Sequence, residues 1–173
     1  MSDVDWFEAF VLRFQDRVFA TAYRLLGRHA DAEDVSQTVF LRAYERFDQI
    51  GESPAAAGWL KTVTTNLCLN HLSRHRARFR LFSELRPADD DGPEFEVASQ
   101  AEATPDRLAA LETNEALGEA LARLPDHQRV PIVLFHFEER SYQEIAALLG
   151  VSLGKVKTDI HRGREALRQS FSP

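Results

Sequence analysis

Basic side chains are concentrated near the end of this 173-residue sequence, between residues 151 and 170. This stretch holds five lysine or arginine residues and only two acidic ones, Asp159 and Glu165. Lysine and arginine can bond guanine edges and phosphates, and a threonine methyl can meet a thymine methyl. If the stretch is a helix, its outward side chains are Lys155, Lys157, Thr158, His161 and Arg162. The pattern favours a helix in the major groove of DNA, where Asp159 would either accept from a cytosine amino group or repel phosphate.

The residues before this stretch predict the element that would position it. Residues 141–144 begin with serine and end with glutamate, which is the capping-box pattern of a helix start. Gly150 allows the positive φ of a tight turn, and a second helix is expected to begin at Ser152. Val156 and Ile160, four residues apart, would then face inward. The pattern predicts a helix-turn-helix, and an ordinary helical hairpin is the alternative.

A second basic segment lies earlier in the chain, and an acidic segment separates the two. Five basic residues and no acidic residue fall between Lys61 and Arg80, whereas Glu84–Glu112 has nine acidic residues and two basic ones. The whole chain carries −6, but without that acidic segment it has 19 basic residues against 18 acidic ones. Two basic segments on either side of an acidic one suggest two anion-binding surfaces, although two solvated helix faces would give the same pattern.

Composition favours helices and excludes several classes of protein. Apolar residues make up 44% of the chain, enough for a packed core, and the first 50 residues contain one glycine and no proline. A single cysteine, Cys68, excludes an internal disulfide and the zinc patterns that need several cysteines. No apolar run approaches the roughly 18 residues of a membrane span, and the N-terminus lacks a basic signal-peptide start. We therefore expect a soluble, cytoplasmic protein.

Apolar periodicity predicts three helices within residues 1–80. The first carries its apolar stripe from Phe7 to Leu25 and would end at Gly27, and the second would be capped by Asp31 and end near Phe47. Residues 48–54 are expected to form a loop. The third helix would run from about residue 55 to residue 76, with an apolar stripe of Trp59, Val63, Leu67, Leu69 and Leu72. These helices can bury one another, so we expect an all-helical domain at 1–80 with Trp59 as a core anchor.

Residues 81–105 interrupt this periodicity with turn formers and clustered acidic residues, so we expect an acidic, flexible linker there. Beyond the linker, periodicity predicts four more helices, at about 106–124, 128–138, 141–149 and 152–171. Pro131 would cost a hydrogen bond deep inside the second of these helices but is tolerated near its first turn, so the pattern leaves the start of this helix open. The predicted fold is all-α, with two small helical domains, at 1–80 and 106–173, joined by the linker.

Four segments of the chain, in this order, resemble the motifs of a known family. They are DAEDVSQTVFLRAYERF (31–47), GWLKTVTTNLCLNHLSR (58–74), LPDHQRVPIVLFHFE (124–138) and SYQEIAALLGVSLGKVKTDIHRGREALR (141–168). The chain is similar to the extracytoplasmic-function (ECF) sigma factors, the smallest sigma-70-type initiation factors of bacteria. The resemblance implies a region 2-like domain, then a region 4-like helix-turn-helix domain. It further implies a protein without catalysis or cofactor that binds core RNA polymerase and directs promoter recognition, promoter melting and transcription initiation, with an anti-sigma factor as a further partner.

The resemblance also assigns residues to three surfaces. Core polymerase would bind the second helix at Asp34, Gln37, Thr38, Leu41 and Arg42. The minus-ten element, as duplex and as melted non-template strand, would bind Asp48, Gly51, Ser53, Lys61, Asn66, Arg74 and Arg76. In the minus-thirty-five complex, Lys157, Thr158, His161 and Arg162 would lie near bases, and Lys155 and Arg164 near phosphates. The chain departs from the usual family residues at Thr38, Asn70, Ser73, Lys155 and Asp159, so the promoter sequence is not implied.

Two other classes of protein account for parts of the sequence. A stand-alone helix-turn-helix regulator would explain residues 141–168 but leaves the predicted polymerase-binding face without a function, unless Asp34 only assists helix capping. An enzyme would need a reactive constellation, and the sequence has no glycine-rich phosphate loop or nucleophile elbow. Cys68, His71 and His75 share a helix face and could supply three metal ligands, although a buried cysteine with two histidines in a basic helix gives the same pattern.

Overall fold

The computed structural model describes the backbone of residues 2–83 and 107–172, and the side chains of residues 2–74 and 115–172. Every regular element in those residues is a helix, which confirms the predicted all-α class. Contacts divide the chain into two units, Met1–Arg86 and Pro87–Pro173. The predicted linker at 81–105 lies outside the described residues, apart from 81–83, which continue the fourth helix.

The first unit consists of α1 (Asp3–Leu26), α2 (His29–Glu45), α3 (Phe47–Ile50) and α4 (Ala56–Ser83). A capping box starts α1, because the Ser2 hydroxyl accepts from the Asp5 N–H while the Asp5 carboxylate accepts from the Ser2 N–H. The pKa of Asp5 is lowered because its carboxylate accepts a bond from the Ser2 hydroxyl at 2.8 Å and another from the Ser2 N–H. Gly27 ends α1 in the left-handed conformation at φ 71°, as predicted.

The start of α2 differs from the prediction. The helix begins at His29, with Arg28 as an N-cap residue that makes no side-chain capping bond, so the predicted cap at Asp31 is wrong. Asp31 lies in the first turn instead, where a carboxylate is favoured by the helix dipole. One of its oxygens lies 3.5 Å from Nε2 of His71, which links α2 to α4.

The core of the first unit is a line of side chains from each long helix. The lines on α1 and α2 contain Phe10, Phe14, Val18, Ala22 and Leu25, then Ala32, Val35, Val39 and Ala43, which confirms the predicted stripes except at Phe7 and Val11. The line on α4 differs from the prediction and runs in steps of four through Ala56, Leu60, Thr64, Cys68 and Leu72. Trp59 is only half-buried, as are Val63, Leu67 and Leu69. Thr64 is tolerated inside because its hydroxyl donates to the Leu60 carbonyl at 2.6 Å.

The predicted loop at 48–54 begins with the single helical turn α3. The Phe47 ring contacts α1, with its centroid 5.4 Å from that of Phe7 and 5.6 Å from that of Phe10. At Gly51, an added Cβ would come within 2.8 Å of the Phe47 ring and 2.9 Å of the Phe47 carbonyl oxygen. Glycine is therefore required at this position, because Phe47 leaves no room for a Cβ. The ring contacts of Phe47 in turn hold α3 against α1.

The second unit consists of α5 (Arg107–Arg123), α6 (Asp126–His136), α7 (Tyr142–Leu149) and α8 (Leu153–Phe171). All four helices were expected, and α6 begins and ends two residues earlier than predicted, with Pro131 inside it. The buried apolar side chains of the unit include Leu121, Val130, Val133, Leu134, Ile145, Val156 and Ile160. Helices α6 and α7 both contact α8, as does α5.

The starts of α7 and α8 and the turn between the two helices have the predicted local structure. The Ser141 hydroxyl accepts from the Glu144 N–H at 3.1 Å, and the Ser152 hydroxyl accepts from the Lys155 N–H at 3.1 Å. Gly150 ends α7 in the left-handed conformation at φ 66°. These local bonds position the start of α8, the helix that carries the basic residues.

Candidate polymerase and nucleic-acid interfaces

An open groove of about 890 Å³ lies between α1 and α2. Its apolar lining is Phe7, Val11, Phe19, Phe40, Leu41 and Tyr44, and its polar lining is Gln15, Asp16, Glu33, Ser36 and Gln37. Leu41 and Tyr44 are 67% and 59% exposed, so large apolar surfaces face solvent at its edge. A groove of this composition suits the apolar face of a partner helix.

The five residues predicted to bind polymerase lie along one exposed strip of α2 beside this groove. From Asp34 they recur at i+3, i+4, i+7 and i+8, which places them on one side of the helix, and all five are exposed. Gln37 and Leu41 also line the groove. The Thr38 hydroxyl donates to the Asp34 carbonyl at 3.1 Å, a bond within the helix. The strip therefore combines an amide, an apolar side chain and two opposite charges, those of Asp34 and Arg42.

The residues predicted for the minus-ten element lie on α3, on the loop after it and on α4. Those exposed are Asp48, Lys61, Asn66 and Arg74, and those half-buried are Gly51 and Ser53. The Ser53 hydroxyl accepts from the Ala55 N–H at 3.1 Å and so shapes the start of α4. Asn66 and Arg74 are eight residues apart, about 12 Å along the helix axis. The Arg76 side chain lies outside the described residues.

On α8, the structure separates the predicted DNA-contacting residues into two groups. Arg162 is exposed, and Lys157 and His161 are half-buried, so these three reach the surface of the helix. The expected outward position of Thr158 is wrong, since the residue is 7% exposed and its hydroxyl has no hydrogen-bond partner among the described residues. The physical reason is that α6 and α7 both cover α8, so its buried side is wider than the Val156 line alone.

Two residues predicted to bind phosphate have partners within the protein. Nζ of Lys155 lies 3.0 Å from the carboxylate of Asp159. The guanidinium of Arg164 lies 2.9 Å from Nε2 of His136 and 5.6 Å from the centre of the Phe135 ring. Both cations therefore contact side chains of the second unit itself.

The start of α7 carries a small exposed charge cluster. The Arg140 guanidinium lies 3.3 Å from the Glu144 carboxylate and lowers its pKa, and the Ser141 hydroxyl, which donates to the same carboxylate at 3.2 Å, lowers this pKa further. Because the pKa is lowered, the stabilisation is complete above the ordinary glutamate pKa and is lost as the pH falls through the lowered value. The cluster therefore supports the helix-turn-helix at neutral pH.

The alternative of a metal site finds no support in the described part of the chain. No group of three or more histidine, cysteine or acidic side chains there is arranged to hold a metal ion. Cys68 is fully buried, and His71 lies beside Asp31. The His75 side chain lies outside the described residues.

Among the helices of the described residues, none is long and apolar enough to cross a membrane.

The α1 wall of the groove is a feature that the sequence pattern did not indicate. The pattern assigns Phe7 and Val11 to the core stripe of α1, yet both are half-buried and line the groove, as does Phe19. The Tyr44 ring meets the Phe7 ring edge to face at 5.0 Å. The sequence could have indicated this wall, because α1 has more apolar residues than a single core-facing stripe requires.

Two family models match the chain, one within each unit. The model described as Sigma-70 region 2 matches residues 10–78, and the model described as Sigma-70, region 4 matches residues 114–167. The ECF RNA polymerase sigma factor SigW of Bacillus subtilis is 32% identical over 169 residues, covering 98% of this chain and 90% of SigW. SigE, an ECF sigma factor of Mycolicibacterium smegmatis, is 39% identical over 163 residues, covering 91% of this chain and 58% of SigE. A solved structure of the sigma factor RpoE of Bartonella quintana, in complex with the anti-sigma factor NepR, matches with a TM-score of 0.49, 23% identity and 95% coverage of each chain.

The chain therefore belongs to the ECF sigma factors of the sigma-70 family. The match to SigW extends over nearly the whole chain, so it includes α1–α4 as well as the helix-turn-helix. A stand-alone regulator would account only for the second unit. The protein is a sigma factor, a class of transcription initiation factor.

Proposed function

We propose that this chain binds core RNA polymerase through α2 and promoter DNA through α3, α4 and α8. In this proposal residues 1–80 act as a region 2-like domain, residues 106–173 as a region 4-like domain, and residues 81–105 as the acidic linker. The observation that carries the proposal is the exposed strip of α2 beside an open apolar groove. It gives the first unit a partner surface that a self-sufficient DNA-binding regulator does not need.

The polymerase surface is formed by Asp34, Gln37, Thr38, Leu41 and Arg42. The exposed Leu41 side chain supplies apolar area that a partner can bury, and a few well-packed side chains near the centre of an interface carry most of its affinity. The amide of Gln37 lies at the same edge of the groove and can fix the register of a partner helix. Asp34 and Arg42 carry opposite charges at the two ends of the strip, which favours one orientation of the partner.

The minus-ten surface is formed by Asp48, Gly51 and Ser53 near α3 and by Lys61, Asn66, Arg74 and Arg76 on α4. Holding a base outside the DNA stack costs a few kcal/mol, which polar contacts and phosphate-binding cations must offset. Asn66 and Arg74 are exposed on α4, so an amide and a cation are available along one helix. Helix α3, which leads directly into this loop, is held against α1 through Phe47, and this contact anchors the start of the loop for a displaced base.

The minus-thirty-five surface is formed by Lys157, His161 and Arg162 on α8. These side chains reach the helix surface, and the capped turn before α8 positions them for a major groove. Lys155, Thr158 and Arg164 act indirectly in this proposal, because each is engaged or buried within the unit. The protein carries out no catalysis of its own, acts in the cytoplasm where RNA polymerase is found, and is restrained by an anti-sigma factor.

The proposal is tested with the full chain and purified bacterial core polymerase. The double variant Asp34→Lys, Gln37→Ala should bind core polymerase at least about tenfold more weakly in fluorescence anisotropy, because the strip loses the amide that fixes register and the negative charge at one of its ends. The matched control is Glu52→Lys, Gln49→Ala, which makes the same charge change at exposed residues outside the strip. Circular dichroism should show both variants folded.

Equal affinity of the folded strip variant and the control would overturn the polymerase-binding assignment. Run-off transcription with a promoter library then tests the whole proposal, since wild-type protein should give promoter-dependent transcripts only with core polymerase. Tight duplex binding by the protein alone, without such transcripts, would favour the stand-alone regulator.

A further inference from the structure

Two oppositely charged residues at the start of α8 form an ion pair one helical turn apart. Nζ of Lys155 lies 3.0 Å from a carboxylate oxygen of Asp159. The Asp159 side chain is 6% exposed, whereas that of Lys155 is 41% exposed. The carboxylate is thus held inside the second unit while the lysine covers it from the solvent side.

The arrangement is not explained by the stability of the helix itself. Lys155 lies in the first turn of α8, where the helix dipole disfavours a cation. A lysine four residues before an acid is also the weaker order for a pair on an isolated helix. A buried carboxylate, in contrast, needs a charged or hydrogen-bonding partner, since leaving it unpaired is strongly unfavourable. The burial of Asp159 is therefore what holds the lysine in place.

The pair removes a positive charge from the surface that faces DNA in the proposed function. Each lysine or arginine that neutralises a phosphate adds to the affinity for any DNA sequence, because it releases counterions. Arg162 follows Lys155 by seven residues, so the two lie on the same side of α8, and Lys155 would otherwise extend the basic surface around Arg162. Instead, its ammonium lies on the carboxylate of Asp159.

We infer that Asp159 is a positioning residue that holds Lys155 away from DNA and so limits sequence-independent binding by α8. This inference rests on the proposed binding of promoter DNA by the second unit. It predicts that a substitution at Asp159, which does not touch DNA itself, changes the number of phosphates that α8 contacts. The base contacts of Lys157, His161 and Arg162 then account for a larger share of the affinity, which favours promoter over non-promoter sequence.

The test measures binding of holoenzyme to a promoter duplex and to an unrelated duplex over a range of salt concentrations. Asp159→Asn should steepen the slope of log affinity against log salt by about 0.9, the value of one additional phosphate contact. The ratio of promoter affinity to unrelated-duplex affinity should fall. The control Glu165→Gln removes the same charge from an exposed pair on the same helix, in which Glu165 lies 3.0 Å from Arg168, and should leave the slope unchanged.

Two further variants distinguish release of Lys155 from loss of a repulsive charge. Lys155→Met, Asp159→Asn should have the wild-type slope, because the released cation is absent. Lys155→Met alone should also keep the wild-type slope, although circular dichroism should show it to be less stable.

An unchanged slope in folded Asp159→Asn would overturn the inference, as would a shallower slope in Lys155→Met. A double variant that behaves like Asp159→Asn would also overturn it, because Asp159 would then act by direct repulsion. Wild-type holoenzyme without promoter binding would overturn the proposed function together with this inference, so the two failures are distinguishable.

Discussion

The side chain of Arg129 is buried in the second unit, although arginine is among the residues least often found inside proteins. One guanidinium nitrogen donates to the Leu124 carbonyl at 2.9 Å, and another donates to the Asp126 carboxylate. The Leu124 carbonyl follows the last residue of α5, where backbone acceptors lack partners within the helix. Arg129 therefore joins the end of α5 to the start of α6.

Replacement of this arginine tests its structural role. Arg129→Met keeps much of the apolar stem but leaves the buried carbonyl without this donor, so the free energy of unfolding should fall by about 1–3 kcal/mol. Urea denaturation followed by circular dichroism measures the change. Arg140→Met is the comparison, because Arg140 and Glu144 form an exposed pair, and it should cost no more than about 0.5 kcal/mol. Equal effects of the two substitutions would contradict the role given to Arg129.

At the scale of elements, the contact between α6 and α8 depends on the absence of a side chain. A Cβ at Gly163 would overlap Cδ1 of Ile132 and lie 3.4 Å from its Cγ1, and both residues are buried. Glycine normally weakens a helix, since it is about 1 kcal/mol less favourable than alanine in a helix interior. Gly163 is therefore explained by the close approach of the two helices rather than by the conformation of α8.

Alanine at residue 163 should separate the gain in helix propensity from the loss of close packing between α6 and α8. Gly163→Ala should destabilise the second unit by about 1–2 kcal/mol, because Ile132 must leave its rotamer or the helices must move apart. Gly58→Ala on α4 is the matched control, since its Cβ would meet no atom within 4 Å, and it should be neutral or stabilising by up to about 1 kcal/mol. Thermal denaturation measures both. A stabilised Gly163→Ala variant would show that α6 and α8 do not approach as closely as described.

At the scale of the whole molecule, the chain contains two helical units, each with its own buried core. The first unit presents the strip and groove proposed for polymerase, and the second presents the helix proposed for the minus-thirty-five element. Both tryptophans, Trp6 and Trp59, belong to the first unit. Tryptophan fluorescence therefore reports on the first unit, whereas circular dichroism at 222 nm reports on helices of both.

This separation predicts different responses of the two signals to a defect in the second core. In Gly163→Ala, the part of the circular dichroism transition that belongs to the second unit should shift to lower temperature by several degrees. The tryptophan fluorescence transition should keep its wild-type midpoint, because Trp6 and Trp59 lie in the other unit. Equal shifts of the two signals would show that the units unfold as one cooperative structure.

The local features of this protein are already specified by the order of its amino acids. Gly27 and Gly150 end helices because glycine adopts positive φ at no steric cost, and Ser141 and Ser152 start helices through bonds to nearby backbone amides. The core stripes of α1 and α2 follow from apolar spacing alone, and four ordered motifs indicated the family. Each of these features depends on residues a few positions apart, so the pattern along the chain contains the necessary information.

Which sides of α4 and α8 are buried depends on how the helices of each unit pack together. Apolar residues such as Trp59 lie on more than one side of α4, so its rotation is settled by contact with α1 and α2, which bury Thr64 and Cys68 instead. On α8, cover from both α6 and α7 buries Thr158 and Asp159, which the charge pattern alone placed at the surface. The physical reason is the same in both helices: burial depends on neighbours distant in sequence, and local periodicity contains no information about how many neighbours there are.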